Sequence, residues 1–235
     1  MIIIINKNAS TEMKNTLKNM GHHIIESMRY PGFSDATATH PDMQIHLLGN
    51  DMAITAPSCY SFYRKRLPHS INLIKGDKEI IGTYPNDCAY NVARVGNTIF
   101  CNTHHASNAL LQYYKKKKKQ IIHVNQGYTK CNIAIVGKNC IITEDVGIHN
   151  SVIANKLPIK SVLIPKGEVS LQGFPYGFIG GACGGCENQI FWYGTPKICS
   201  YYLQLEAEVI KQKTESISLE QKPLEDLGGI ICFNK

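Results

Sequence analysis

One segment recurs three times at nearly constant spacing, and it restricts the chain to a quasi-symmetric architecture. It reads Gln44 to Thr55 around Gly49, Asn91 to Asn102 around Gly96, and Asn132 to Thr143 around Gly137. Each copy sets a carboxamide five residues before the turn glycine and a small polar residue six after it. The flanking residues are apolar in short runs, so each copy predicts a β-hairpin. The glycines lie 47 and 41 residues apart. Repetition of this kind brings equivalent positions of the copies together, and that convergence is where a site is to be sought.

The sequence after each hairpin repeats as well. Ser58 to Arg66, Ala106 to Tyr114 and Val146 to Asn155 read as helices, followed by the short apolar strands Ile71–Ile74, Ile121–Val124 and Val162–Ile164. A looser fourth unit runs from Ile179 to Tyr193, with Glu187-Asn188 at its turn. It continues through a long helix, Ile198 to Lys211, and the strand Ile217–Leu219. The fifth unit is split between the chain ends. Leu227 to Phe233 supplies its first strand and Ile2–Ile5 its second, followed by a helix from Thr11 to Met20, capped by Ser10, and the strand His23–Ile25. Five units of about 47 residues account for all 235 positions. Pairing the terminal strands would close a ring and remove exposed sheet edges. The expected fold is therefore α/β, a closed five-bladed ring of ββαβ repeats forming a single domain over residues 1–235.

Composition sets limits on function. With 43% apolar and 18% charged residues, the chain is an ordinary globular one, and no apolar run approaches a membrane span. The N-terminal isoleucines form too short a run for a signal peptide. The cysteines, nine in number, sit mostly inside strand patterns, which suggests a reducing cytoplasm. The net charge of +7 is concentrated in Lys115 to Lys119. That run falls at a helix C-terminus, where cations complement the partial negative charge of the last carbonyls, so no nucleic-acid partner is expected. Cys183-Gly-Gly-Cys186 has metal-knuckle spacing, but no second such pair lies at the usual distance. Neither a metal nor another cofactor is expected, and oligomeric state is not legible.

The segments leading into the hairpins carry the chemistry. They hold His40, Asp42 and Gln44 in the first unit, Asp87 and Asn91 in the second, and Lys130, Cys131 and Asn132 in the third. The fourth contributes Gly180 to Gly185 with Cys183, and the fifth Asp226, Gly228, Gly229 and Cys232. Around one axis these segments would face a common concavity. Converging carboxylates and carboxamides suit a small, planar, cationic ligand rich in hydrogen-bonding groups. A structural alternative stands beside this: Gln44, Asn91 and Asn132 would instead bond backbone groups at strand starts and hold the repeats in register. Glu144 and Asp145 read as caps for the helix that follows them.

Five ββαβ units, the strand Gly228-Gly-Ile-Ile-Cys232, and Asp42 and Asp87 ahead of their hairpins resemble the pentein superfamily of guanidino-group-modifying enzymes. That group includes agmatine and arginine deiminases, dimethylarginine hydrolases and amidinotransferases, and the chain is most similar to a branch described only as a domain of unknown function. The resemblance implies a five-bladed α/β propeller with pseudo-five-fold symmetry. It implies Cys232 as a nucleophile attacking a guanidinium carbon, with Asp42, Asp87 or Asp226 binding the guanidinium nitrogens. A histidine of the fourth unit would move protons. The chain departs from the pattern there: Ile179-Gly-Gly-Ala-Cys183 stands in its place, and no histidine follows His149. His40 and His149 are the imidazoles that other units could offer, and Cys183 is a second candidate nucleophile.

Two function classes remain open on this reading. One is a cysteine-dependent hydrolase or transferase acting on a guanidino or similar carbon–nitrogen substrate. The other is a non-catalytic pentein that binds a small polar ligand or a protein partner, having lost the proton-shuttling histidine.

Overall fold

A computed structural model describes residues 1–186 and 188–233; Glu187, expected at the fourth turn, lies outside the described residues. In chain order the elements of the N-terminal third are β1 (Ile2–Ile5), α1 (Thr11–Asn19), β2 (His23–Glu26), α2 (Pro41–Gln44), β3 (Ile45–Leu47), β4 (Met52–Thr55), α3 (Tyr60–Arg64) and β5 (Asn72–Lys75). The middle third holds β6 (Ala93–Val95), β7 (Thr98–Cys101), α4 (Asn108–Lys116), β8 (Gln120–His123), β9 (Ile133–Val136), β10 (Cys140–Thr143), α5 (Val146–Ala154) and β11 (Lys160–Leu163). The last third holds β12 (Cys183–Cys186), β13 (Gln189–Trp192), α6 (Tyr202–Lys211), β14 (Glu215–Ser218) and β15 (Ile231–Phe233).

These strands form five separate sheets of three strands: β3-β4-β5, β6-β7-β8, β9-β10-β11, β12-β13-β14 and β15-β1-β2. In every sheet the middle strand is antiparallel to the first and parallel to the third. A short connection joins the antiparallel pair in the four continuous units, the two chain ends supply it in the fifth, and a helical crossover joins each parallel pair. The terminal strands share one sheet, with Ile3 opposite Cys232. Hydrogen-bonded strand order ends at three strands in each case, so none of the five sheets closes on itself.

Local chemistry explains the helices. Ser10, Ser107 and Asp145 accept the N–H of Met13, Leu110 and Ile148 respectively, satisfying donors that a helix start leaves open. Lys115 and Lys116 occupy the last turn of α4, as the charge pattern suggested. Three helical regions differ from expectation, the first being Ser58 to Arg66, which divides into a 3₁₀ turn at Pro57–Cys59 and the short α3. The long helix read from Ile198 begins only at Tyr202, because Pro196–Ile198 forms a separate 3₁₀ turn. The first hairpin is preceded by the short helix α2, which starts with Pro41 at its first position and absorbs Gln44.

Four buried apolar clusters tie the units together in sequence. Ile133, Ile141 and Val152 pack with Ala93, Phe100 and Ile122 across the second and third units. Val136 and Ile142 pack with Ile190 and Trp192 across the third and fourth. In β1, alternation sends Ile3 and Ile5 to Phe191 and Tyr193 of the fourth unit, and Ile2 and Ile4 to the cluster of the first and second. The split unit thus packs against both the fourth unit and the first. Among the described residues, no helix is long and apolar enough to cross a membrane.

Candidate functional site

The first strand of every sheet reaches one cavity of about 440 Å³. Its wall includes Leu47 of β3, Arg94 of β6, Ile135 of β9, Cys186 of β12 and Cys232 of β15. Asp42, Arg94, Lys130 and Lys138 are its charged groups among the described lining residues. His46 also lines it, but Nε2 shares a 2.7 Å hydrogen bond with the Tyr114 hydroxyl. Burial, aided by the Arg94 guanidinium, pushes this imidazole down to about 3, so it is neutral.

Asp42 and Lys130 also belong to a buried polar cluster adjoining the cavity. Asp42 is anchored through its backbone N–H to Gly228 O at 3.1 Å. The Cys131 thiol donates to Asp42 Oδ2 at 3.0 Å, and Asn91 Nδ2 donates to the same sulfur at 3.1 Å. Asn91 Oδ1 accepts the backbone N–H groups of Lys130 and Cys131 at 2.7 and 3.1 Å. Lys130 Nζ donates to Gly180 O at 2.8 Å. Asp226 accepts from Phe178 N–H at 2.9 Å through one oxygen and from Gly228 N–H at 3.0 Å through the other. His40 Nδ1 lies 3.9 Å from Asp226 Oδ1, too far for a hydrogen bond.

Glycines make this density feasible. A Cβ on Gly228 would sit 2.3 Å from His40 Cβ, and its φ of +76° disfavours any side chain. A Cβ on Gly181 would sit 1.9 Å from Asp226 Oδ1. The fourth unit therefore meets the fifth with bare backbone where the family pattern called for a histidine.

Burial governs the electrostatics. It raises Asp42 to about 6, against the pull of Lys130 and His40 toward ionisation. It raises Glu144 to about 7, although Ile179 N–H donates to that carboxylate at 3.2 Å. Cys183 is pushed up to about 12 by burial, and Cys131 and Cys232 are raised above the ordinary thiol range for the same reason. These thiols are protonated near neutral pH, and an unionised thiol is a poor nucleophile.

The sequence-selected residues thus divide. His40, Asp42, Asn91, Lys130 and Asp226 come together in the cluster, and Cys232 lines the cavity. Gln44 serves its own unit, donating to Met28 O at 2.6 Å and accepting from the Tyr63 hydroxyl at 2.6 Å. Asn132 bonds Tyr128 O locally at 3.1 Å, and Asp87 accepts from the Tyr128 hydroxyl at 2.7 Å. Cys183 is fully buried among apolar residues. Residues three apart in a strand face opposite sides, so Cys183 and Cys186 cannot chelate one ion. Glu144 does not cap α5; Asp145 does. Cys131 and Arg94 acquire importance that spacing alone did not give them. An arginine inside the otherwise apolar Ala93–Val95 strand was the available signal for the latter.

Comparison with known proteins follows from this geometry. The amidinotransferase SxtG of the saxitoxin biosynthetic pathway from Microseira wollei is similar at a TM-score of 0.59 and 12% identity, covering 100% of this chain and 94% of its own. An agmatine deiminase from C. jejuni is similar at 0.54 and 11% identity, covering 99% and 82%. The inosamine-phosphate amidinotransferase StrB1 from Streptomyces griseus gives 0.52 and 10%, covering 100% and 93%. At such identities the likeness establishes the fold alone, which this chain shares with these amidinotransferases and the deiminase. Within it, the chain belongs to a family of unknown function (DUF6873), whose model matches residues 4–231. No curated sequence matches the chain.

Proposed function

We propose that the five units close into one pseudo-five-fold ring, a single propeller-like domain, whose central cavity binds a small polar ligand bearing a carboxylate or comparable anionic group. Three facts support the ring: all five first strands line one cavity, the terminal strands pair, and the split unit packs on both neighbours.

The charge of the wall carries the ligand assignment. Leaving Lys138 aside, Arg94 and Lys130 stand against Asp42 among the described lining residues. A bare guanidinium cation would meet like charge there, whereas a carboxylate gains from Arg94 and Lys130 in a partly desolvated site. Binding rather than turnover fits the rest of the wall. Cys232 is held as a neutral thiol, and the lining imidazole His46 is neutral and committed to Tyr114. With His46 committed to Tyr114, no imidazole among the described lining residues is free to move protons, and loss of such a group costs roughly 10²–10⁴-fold in rate.

Calorimetric titration with arginine, citrulline and agmatine tests the reading. Arginine and citrulline carry a carboxylate and are expected to bind, agmatine lacks one and is not, and Arg94→Ala is expected to remove the binding. Agmatine binding as tightly as arginine would overturn the anionic assignment. The position of Cys232 on the cavity wall, just after the Gly228-Gly229 pair, favours a second reading: a cysteine-dependent enzyme acting on a guanidino or similar carbon–nitrogen bond. Release of ammonia or citrulline from these compounds, lost in Cys232→Ala, would replace binding with catalysis.

A further inference from the structure

The most unusual chemistry of the molecule lies beside the cavity rather than in it. His40, Cys131 and Asp226 each present one donor atom, and these atoms all lie within 4.8 Å of one another. They come from the first, third and fifth units, and every one of the three residues is buried. Asp42 adjoins them, with Oδ2 at 3.0 Å from Cys131 Sγ. We propose that these groups form a mononuclear site for a divalent transition metal, with Zn²⁺ as the expected ion, held by His40, Cys131 and Asp226 with Asp42 as the fourth candidate ligand. The proposal does not depend on what occupies the cavity.

Unpartnered polar atoms point to such a ligand independently of the clustering. His40 Nε2 and Asp42 Oδ1 are buried without a hydrogen-bond partner, in residues only 2% and 3% exposed. Leaving such atoms unpaired costs about 1–3 kcal/mol each, and a metal bond or metal-driven reorientation would remove that cost.

Donor chemistry narrows the ion. Imidazole, thiolate and carboxylate together suit Zn²⁺ at bond lengths of about 2.0–2.3 Å, and the donors would draw together around the ion to reach them. The donors are already oriented from outside. Asn91 bonds both the Cys131 sulfur and its backbone N–H, while Phe178 and Gly228 N–H groups each hold one Asp226 oxygen. Such outer bonds orient ligands and raise metal affinity. A route also exists, because Asp42 and Lys130 are shared with the cavity wall. On binding, the Cys131 S–H bond breaks, an S–metal bond forms, and the proton leaves to solvent.

The test uses the full chain, stripped with a chelator and titrated with Zn²⁺ alone against a chromogenic competitor, then with Co²⁺ followed by absorption. One equivalent of Zn²⁺ is expected, with proton release, and Co²⁺ should give a thiolate-to-metal charge-transfer band with tetrahedral visible bands. His40→Ala and Cys131→Ser should each weaken binding by at least about 100-fold, while Cys199→Ser leaves it unchanged. If the single variants fail to fold, the wild-type cobalt spectrum decides: no thiolate band overturns the proposal. Equal Zn²⁺ affinity in folded Cys131→Ser, or loss of binding in Cys199→Ser instead, would overturn it as well.

Discussion

Cys131 and Cys232 are both buried thiols raised by desolvation, yet they sit in opposite kinds of surroundings. Cys232 belongs to an apolar cluster with Ile3, Ile5 and Phe191, and its sulfur has no hydrogen-bond partner among the described residues. Cys131 touches Asp42 of the first unit and Asn91 of the second, beside His40 and Asp226. The glycine-pair motif draws attention to Cys232, whereas polar groups from three other units of the fold gather on Cys131. Position in a repeat therefore tells where a side chain points, but its chemistry depends on what the other units bring to the same place.

The contrast can be broken most severely from the Asp226 side. Asp226→Ala leaves the Phe178 and Gly228 N–H groups buried without acceptors. The expected loss is about 2–5 kcal/mol of stability in denaturant unfolding. A loss under 1 kcal/mol would mean that water already serves these donors.

Asp42 supplies a pH signature that Cys232 lacks. Its carboxyl is raised from 3.8 to about 6, so the folded state holds the proton more tightly than the unfolded chain. The resulting stabilisation is complete below pH 3.8 and is lost as pH rises through about 6, roughly 3 kcal/mol in all. Asp42→Asn lacks that loss. In chelator-treated protein it should gain on the wild type by up to about 3 kcal/mol between pH 4 and 7. A pH-independent difference would show that Asp42 is not desolvated.

The smallest change is expected at the other thiol. Cys232→Ala removes one buried sulfur from an apolar cluster and should cost about 1 kcal/mol, with no pH dependence over the same range. A pH-dependent cost would erase the distinction between the two sites.

Much of this architecture was legible because repetition is a covalent property of the chain. The hairpins at Gly49, Gly96 and Gly137, and the joining of Ile2–Ile5 to the strand ending at Phe233, follow from spacing and apolar runs. Boundaries were less legible where prolines intervene: Pro41 starts a helix ahead of the first strand, and Pro196 starts a separate turn ahead of α6. The site was legible only in part. Asp42, Lys130 and Asp226 could be placed together by symmetry, but a carboxamide looks the same in sequence whether it bridges units, as Asn91 does, or serves its own, as Gln44 and Asn132 do. Arg94 turns the cavity cationic through one side chain, and no repeat pattern predicts that.

The convergence of distant units is tested most directly by a double-mutant cycle between Asp42 and Cys131, 89 residues apart in sequence, using Asp42→Ala and Cys131→Ala under chelation. A coupling of about 1–2 kcal/mol is expected for two contacting groups in one network, with near-additive behaviour for Asp42 paired with a remote cysteine such as Cys199. Additivity of Asp42 and Cys131 within about 0.3 kcal/mol would contradict the shared centre on which the site is built.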